Sequence, residues 1–191
     1  MKIVYLLGVA GSGKTTLINA ITAQWQFRQL INRPIAHQHW IAPTLGRCVT
    51  LGKQHPVFGG TDTLSFAAIE QVDNLLTALG KHNVALVLGE GDRFANQRFI
   101  DTARSHGTTL VFYLTADDDL IAERRRDRAR QHGLKEQNAT WINGRLSKHK
   151  RLAKANDAIY LNASQPPTTL ATQLLEYVNL CHQDRASTAN N

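Results

Sequence analysis

The stretch Gly8-Val9-Ala10-Gly11-Ser12-Gly13-Lys14-Thr15 satisfies the pattern G-x-x-x-x-G-K-[ST] at every fixed position. Its flanks decide the fold. The apolar run Ile3-Val4-Tyr5-Leu6-Leu7 precedes it and reads as a buried strand. Thr16-Leu17-Ile18-Asn19-Ala20-Ile21 follows and reads as a helix running to about Trp25. Glycines let the backbone turn tightly, so that successive N–H groups point inward at a polyphosphate. The helix adds the positive end of its dipole at the same point. The expected nucleotide-binding residues are therefore Gly8, Ala10, Gly11, Ser12, Gly13, Lys14, Thr15 and Thr16. Lys14 is expected to reach the β- and γ-phosphates, and the Thr15 hydroxyl to bind Mg²⁺.

Working outward, strand, turn and helix alternate about five times. Val84–Leu88 is a continuous apolar run suited to a parallel strand covered on both faces, and Thr108–Leu114 reads as a further strand. Ala158–Ala163 reads as a last strand, and Pro166-Pro167 opens a last helix. The pattern predicts an α/β protein with a parallel sheet. The stretch around Pro34 and Pro43 reads as a long polar connection, and Leu45–Lys53 as a strand or hairpin arm. Helices are expected over Ser65–Leu79, capped by Gly80, and over Phe94–His106. No internal repeat or linker divides the chain, so one domain is expected over residues 1–182, with a polar tail over 183–191.

Ligands of such sheets bind beyond the carboxyl ends of the strands. Glu90 and Asp92, at the end of the second apolar run, are placed to meet Mg²⁺ or a substrate hydroxyl, and Arg93 to face a phosphate. Asp92 has a second reading, as a helix cap. Gly59-Gly60-Thr61-Asp62 forms a second glycine-rich turn. Asp62 reads either as a helix cap or as a carboxylate at the mouth of the nucleotide site.

Composition narrows the classes. The net charge is +7, and segment 124–151 holds ten basic residues against Asp127 and Glu136, a local +8. The excess is thus one anion-binding block and not a generally basic surface. No run approaches the ~20 apolar residues of a membrane helix, and the first strand is too short for a signal-peptide core, so a cytoplasmic location is expected. Cys48 and Cys181 lack metal-like spacing and are expected as free thiols. No Asn-Lys-x-Asp guanine reader and no Leu-Ser-Gly-Gly-Gln signature is present, which excludes typical GTPases and transport ATPases. A small phosphoryl-transfer kinase fits, with Arg124–Arg130 and the residues to Arg151 as a mobile lid. Arg126 and Arg130 lie four apart on one helix face, as do Arg124 and Arg128.

From Gly8 to about Ser164 the chain resembles nucleoside and nucleotide kinases of the adenylate/thymidylate-kinase type. The shared features are the Gly8–Thr15 loop, Asp92-Arg93 and the Arg-rich lid. Gly46-Arg47, Leu51-Gly52-Lys53, Phe58–Ser65 and Glu90–Phe94 further resemble bacteriophage kinases that phosphorylate the hydroxymethyl group of 5-hydroxymethyluracil in DNA, a step toward hypermodified thymine. The resemblance implies a three-layer α/β/α P-loop NTPase sandwich with a five-stranded parallel sheet, and ATP with Mg²⁺ held by Thr15 and Glu90. It places Asp62 on the substrate side as first choice of base, with Asp92 second. Lys14, Arg126 and Arg130 would neutralise the transferred phosphoryl group, Arg126 also touching the nucleotide. Arg47, Thr61, Asp62, Arg93, Arg145, Lys148, Lys150 and Arg151 would hold the modified DNA. Two other readings stand: a kinase of free nucleosides or nucleotides, and a non-catalytic nucleotide-binding module.

Overall fold

The computed structural model describes residues 1–53, 59–135 and 138–188, with side chains to residue 180. Pro56, Val57, Phe58, Glu136, the Cys181 thiol and residues 189–191 lie outside the described residues. The first strand, β1 (Lys2–Leu7), is buried along its whole length. Such burial on both faces requires the uninterrupted apolar run that the sequence supplies. α1 (Lys14–Thr22) returns across the sheet. Then come β2 (Gln26–Ile31), β3 (His37–Ala42) and β4 (Gly46–Leu51), followed by 3₁₀ turns at Thr61–Thr63 and Phe66–Gln71. α2 (Val72–Lys81), β5 (Leu86–Glu90), α3 (Gln97–His106), β6 (Thr108–Thr115), α4 (Asp118–Gln131), α5 (Ala139–Ala155), β7 (Ile159–Asn162) and α6 (Pro167–Thr188) complete the chain.

The seven strands form one sheet in the order β2-β3-β4-β5-β1-β6-β7. β4, β5, β1, β6 and β7 run parallel to one another, and β3 pairs antiparallel with both β2 and β4. The predicted five-stranded parallel sheet is therefore the centre of a larger mixed sheet. In β1, alternate side chains serve opposite faces, as strand periodicity demands. Ile3, Tyr5 and Leu7 pack with Leu75, Leu76 and Phe99 of α2 and α3. Val4 and Leu6 pack with Leu17 and Ile21 of α1 and Leu174 and Val178 of α6. These two cores on either side of one sheet make the three-layer sandwich.

Four local expectations change. The polar connection before residue 45 holds β2 and β3. β2 is almost wholly exposed, so Gln26–Ile31 shows no buried face for periodicity to reveal. The helix expected from Ser65 begins as a 3₁₀ turn and becomes α-helical at Val72; Gly80 lies inside it and His82 ends it. α3 starts at Gln97, where Asn96 caps it by accepting a hydrogen bond from the Phe99 N–H (2.9 Å). Asp92 is thereby relieved of the capping role. The tail expected from Gln183 continues α6 as far as Thr188.

Candidate active site

The loop after β1 and the loop after β5 emerge side by side, because β1 pairs with β5 up to Leu6 opposite Glu90. They line one wall of a cavity of about 1150 Å³. Gly11 has φ +87° and lies against α4; a Cβ there would stand 2.8 Å from the Ile121 carbonyl oxygen. Only glycine fits both the dihedral and the contact. Ser12 Oγ is buried with no hydrogen-bond partner, and no side chain caps the N-terminus of α1. Such orphaned groups around a positive helix end suit a phosphate group. Lys14 lies across the loop, its Nζ donating to the carbonyls of Gly8 (2.7 Å) and Val9 (3.1 Å).

Thr15 Oγ1 donates to Glu90 Oε1 at 2.8 Å. Glu90 is almost completely buried. Burial pushes its carboxyl above the ordinary range and Asp62 adds to that, while Lys14, the Thr15 hydrogen bond and Arg128 pull the other way. A hydroxyl and a carboxylate paired beside the phosphate loop are the hard oxygen donors that Mg²⁺ takes, so these residues fit the ion. Gly60, at φ +58°, explains the second glycine-rich turn. Its missing side chain would stand 2.6 Å from the Glu90 carbonyl oxygen and 2.8 Å from Oε1. The turn can therefore lie directly on the carboxyl group.

Asp62 and Asp92 meet just beyond the end of β5, and both line the cavity. The Asp92 N–H donates to Asp62 Oδ1 at 2.7 Å, so Asp62 does not cap a helix. Asp92 Oδ1 accepts from His149 Nε2 at 2.6 Å, and Arg145 Nε stands 3.4 Å from Oδ2. Lys148 Nζ donates to the Asp92 carbonyl at 3.3 Å. Burial works against the Asp92 charge, but the hydrogen bond from His149 and the nearby Arg145 and Lys148 outweigh it. Its carboxyl is held below the usual aspartate range. The same enclosure lowers Lys148, against the pull of Asp92 and Asp62.

The remaining predicted residues divide. Arg93 lines the cavity with its guanidinium 3.7 Å over the Phe66 ring, and its Nε is buried without a partner. Arg145 lies 5.2 Å over the Trp141 ring. Phe66 (84% exposed) and Trp141 (42%) thus give the cavity two open aromatic faces, each backed by an arginine. Thr61 is fully buried: its Oγ1 meets the Tyr5 hydroxyl (3.1 Å), which itself donates to the Gly91 carbonyl (2.7 Å). It holds the turn and does not line the cavity. Arg47 sits at the start of β4, exposed, donating to the His82 carbonyl at 2.9 Å. That is the end of the sheet opposite the phosphate loop.

On α4 the cavity is lined by Arg124 and Arg128, whereas Arg126 and Arg130 are exposed and outside the lining, Arg130 pairing with Asp127 at 3.3 Å. Lys150 and Arg151 likewise point away from it. The sequence carries the signal that separates the two arginine pairs. Ile121 is the buried residue of α4, and Arg124 and Arg128 follow it by three and seven residues, on its face. His149 was missed for a similar reason. It lies among surface-type cations, but Leu152 and Ala153 mark the buried face of α5, three and four residues on.

Fold and site together define a P-loop nucleotide-binding protein of kinase architecture. A family model described as P-loop Nucleotide Kinase3 matches residues 1–165, and the chain belongs to that family. A nucleotide-binding protein of Burkholderia ambifaria is 30% identical over 108 residues, which cover 56% of this chain and 34% of that protein. A nucleotide-binding protein of Burkholderia vietnamiensis matches to the same extent. The chain thus spans about a third of the length of these relatives. The fold is similar to an unliganded sugar kinase of Janibacter sp. HTCC2649 (TM-score 0.53, 16% identity, 94% of this chain and 95% of that one). It is also similar to the Deinococcus radiodurans tunicamycin resistance protein (TM-score 0.54, 16% identity, 93% and 95%). Among the described residues, no helix is long and apolar enough to cross a membrane.

Proposed function

We propose that this protein is a kinase that transfers the γ-phosphoryl group of ATP to the hydroxymethyl oxygen of 5-hydroxymethyluracil in DNA. The observation that carries the phosphoryl-transfer reading is the meeting of Asp62 and Asp92 in the same cavity that Lys14 and Thr15 line. The DNA-base reading is supported by the resemblance of the Gly59–Ser65 turn and of Glu90–Phe94 to the phage kinases. The open faces of Phe66 and Trp141 support it further, since an extruded base regains stacking energy on such rings.

In this reading Asp62 receives the proton of the hydroxyl as its oxygen bonds to the γ-phosphorus and the bond to ADP breaks. Asp92 is the poorer base, because His149, Arg145 and Lys148 already stabilise its charge. Lys14, Arg124 and Arg128 neutralise the phosphoryl oxygens, the largest contribution expected in such a reaction. Thr15 and Glu90 would hold Mg²⁺, which supplies charge neutralisation between the phosphates. Closure of α4 and α5 would exclude water, which otherwise competes with the acceptor.

One observation favours a smaller acceptor. Arg47, one of the expected DNA contacts, lies at the far end of the sheet and shares no surface with the cavity. The two acceptors are separated by offering γ-labelled ATP with 5-hydroxymethyluracil DNA, with thymine DNA and with free nucleosides and nucleotides. Label on the modified DNA alone is the expected result. Label on free nucleosides or nucleotides alone overturns the DNA reading and keeps the kinase. No label on any acceptor leaves nucleotide binding as the function.

A further inference from the structure

A single buried side chain joins the two halves of the site. His149 is 2% exposed and is carried by α5. Its Nδ1 accepts from the Gly8 N–H at 3.0 Å, and its Nε2 lies 2.6 Å from Asp92 Oδ1. The first contact sets the tautomer. A backbone N–H can only donate, so Nδ1 is the acceptor and the proton resides on Nε2, where it is donated to Asp92. Asp92 passes the constraint on through its own N–H to Asp62 Oδ1. A continuous path of three hydrogen bonds therefore runs from the first glycine of the phosphate loop to the acceptor-side carboxylate.

We infer that His149 is a positioning residue that sets the distance between the nucleotide loop and the Asp62–Asp92 pair, and that α5 engages the nucleotide site through it. A bridge of this kind needs an acceptor and a donor on one rigid plane, which a neutral imidazole supplies and a lysine or arginine does not. It also explains a histidine in a run of cations, Lys148-His149-Lys150-Arg151, at the one position of that run that is fully buried. Lys14 holds the same segment from the other side, by its bonds to the Gly8 and Val9 carbonyls. When Lys14 leaves those carbonyls for a phosphate, the His149 bond is what retains Gly8.

The inference rests on the phosphoryl-transfer reading, whatever the acceptor, and its test is read without an acceptor. An asparagine side chain presents its amide oxygen near the Nδ1 position and a glutamine presents its amide nitrogen near the Nε2 position. His149→Asn should therefore keep the Gly8 bond and lose Asp92; His149→Gln should do the reverse. His149→Ala loses both. Folding of each variant is checked by thermal melting, and exchange of the Gly8 amide proton is followed by NMR. Protection of that amide is expected in the wild type and His149→Asn, and its loss in His149→Gln and His149→Ala. Calorimetric affinity for ATP·Mg²⁺ should fall by about 10- to 100-fold in His149→Gln but not in His149→Asn, the scale of a buried backbone N–H left without its acceptor. ATP turnover at saturation should fall in His149→Asn more than in His149→Gln. Equal losses in the two amide variants would show a packing role only and overturn the inference, as would no change in either. Failure of every acceptor in the labelling experiment would count against the kinase reading and would leave the amide-protection result standing.

Discussion

Asp62 and Asp92 bear the same functional group and are prepared for different work. Asp92 accepts from His149, meets Arg145 and is held ionised; Asp62 takes one backbone N–H and sits beside the buried Glu90 carboxyl. Asp62→Asn should slow transfer by about 10²- to 10⁴-fold, the range of a lost general base, with ATP affinity retained. A kcat within threefold of wild type would remove Asp62 from that role. Asp92 also makes a stability prediction. Its folded-state carboxyl lies below the usual aspartate value, so the stabilisation is fully present above about pH 5. It is lost as the pH falls through the usual aspartate range and below it. Urea melts between pH 3 and 6 should show this acid limb, and Asp92→Asn should flatten it. An undiminished limb in the variant would assign the acid sensitivity to other carboxylates. The residues alone left Asp62 and Asp92 each open between a helix cap and a site carboxylate, and only the family resemblance ranked Asp62 above Asp92 as base. The distinction depends on Asn96 taking the cap of α3 and on His149 arriving from 57 residues away.

Helices α4 and α5 show what periodicity discloses and what it hides. The Arg-rich segment was legible as a unit, but every position of Glu123–Arg130 except Ala129 is charged, so charge itself names no inward face. Ile121 does, and it selects Arg124 and Arg128. Arg124 is additionally fixed, its Nη2 donating to the Ala163 carbonyl after β7 at 3.1 Å. Replacing Arg128 with alanine should lower kcat by about 100-fold, the cost of one donor to the developing charge. Arg126→Ala and Arg130→Ala should leave kcat unchanged in the same assay. Sensitivity at Arg126 and indifference at Arg128 would mean that the helix rotates on closure. At the other edge of the sheet, β3 was hidden because its buried positions begin with the polar His37 and Gln38, and β2 because it has no buried face. β2 buries almost nothing, so a strand held by backbone pairing to β3 left no apolar alternation to read.

At the scale of the molecule, the fold was the most legible feature, because a buried parallel strand followed by a phosphate loop and a helix leaves few alternatives. The acceptor was the least legible, because the +8 charge of segment 124–151 says nothing about where its members point. The structure divides that charge. Arg124, Arg128, Arg145 and Lys148 line the cavity, while Arg126, Arg130, Lys150 and Arg151 face solvent. In the proposed reaction the inward cations act on the transferred phosphate and on the carboxylates, and so would add little to the salt dependence of acceptor binding. Outward cations are the ones free to release counterions from a duplex. If the four outward residues each meet a DNA phosphate, log K for the modified DNA should fall with log salt at a slope of about −3.6, at roughly −0.9 per contact. Each of Lys150→Ala and Arg151→Ala should then reduce the slope by about one unit without changing kcat at saturating DNA. The measurement is KM for modified duplex from 50 to 200 mM salt, in wild type and the two variants. A flat KM would show that the outward cations meet no backbone, and that the acceptor is a molecule small enough to enter the cavity whole.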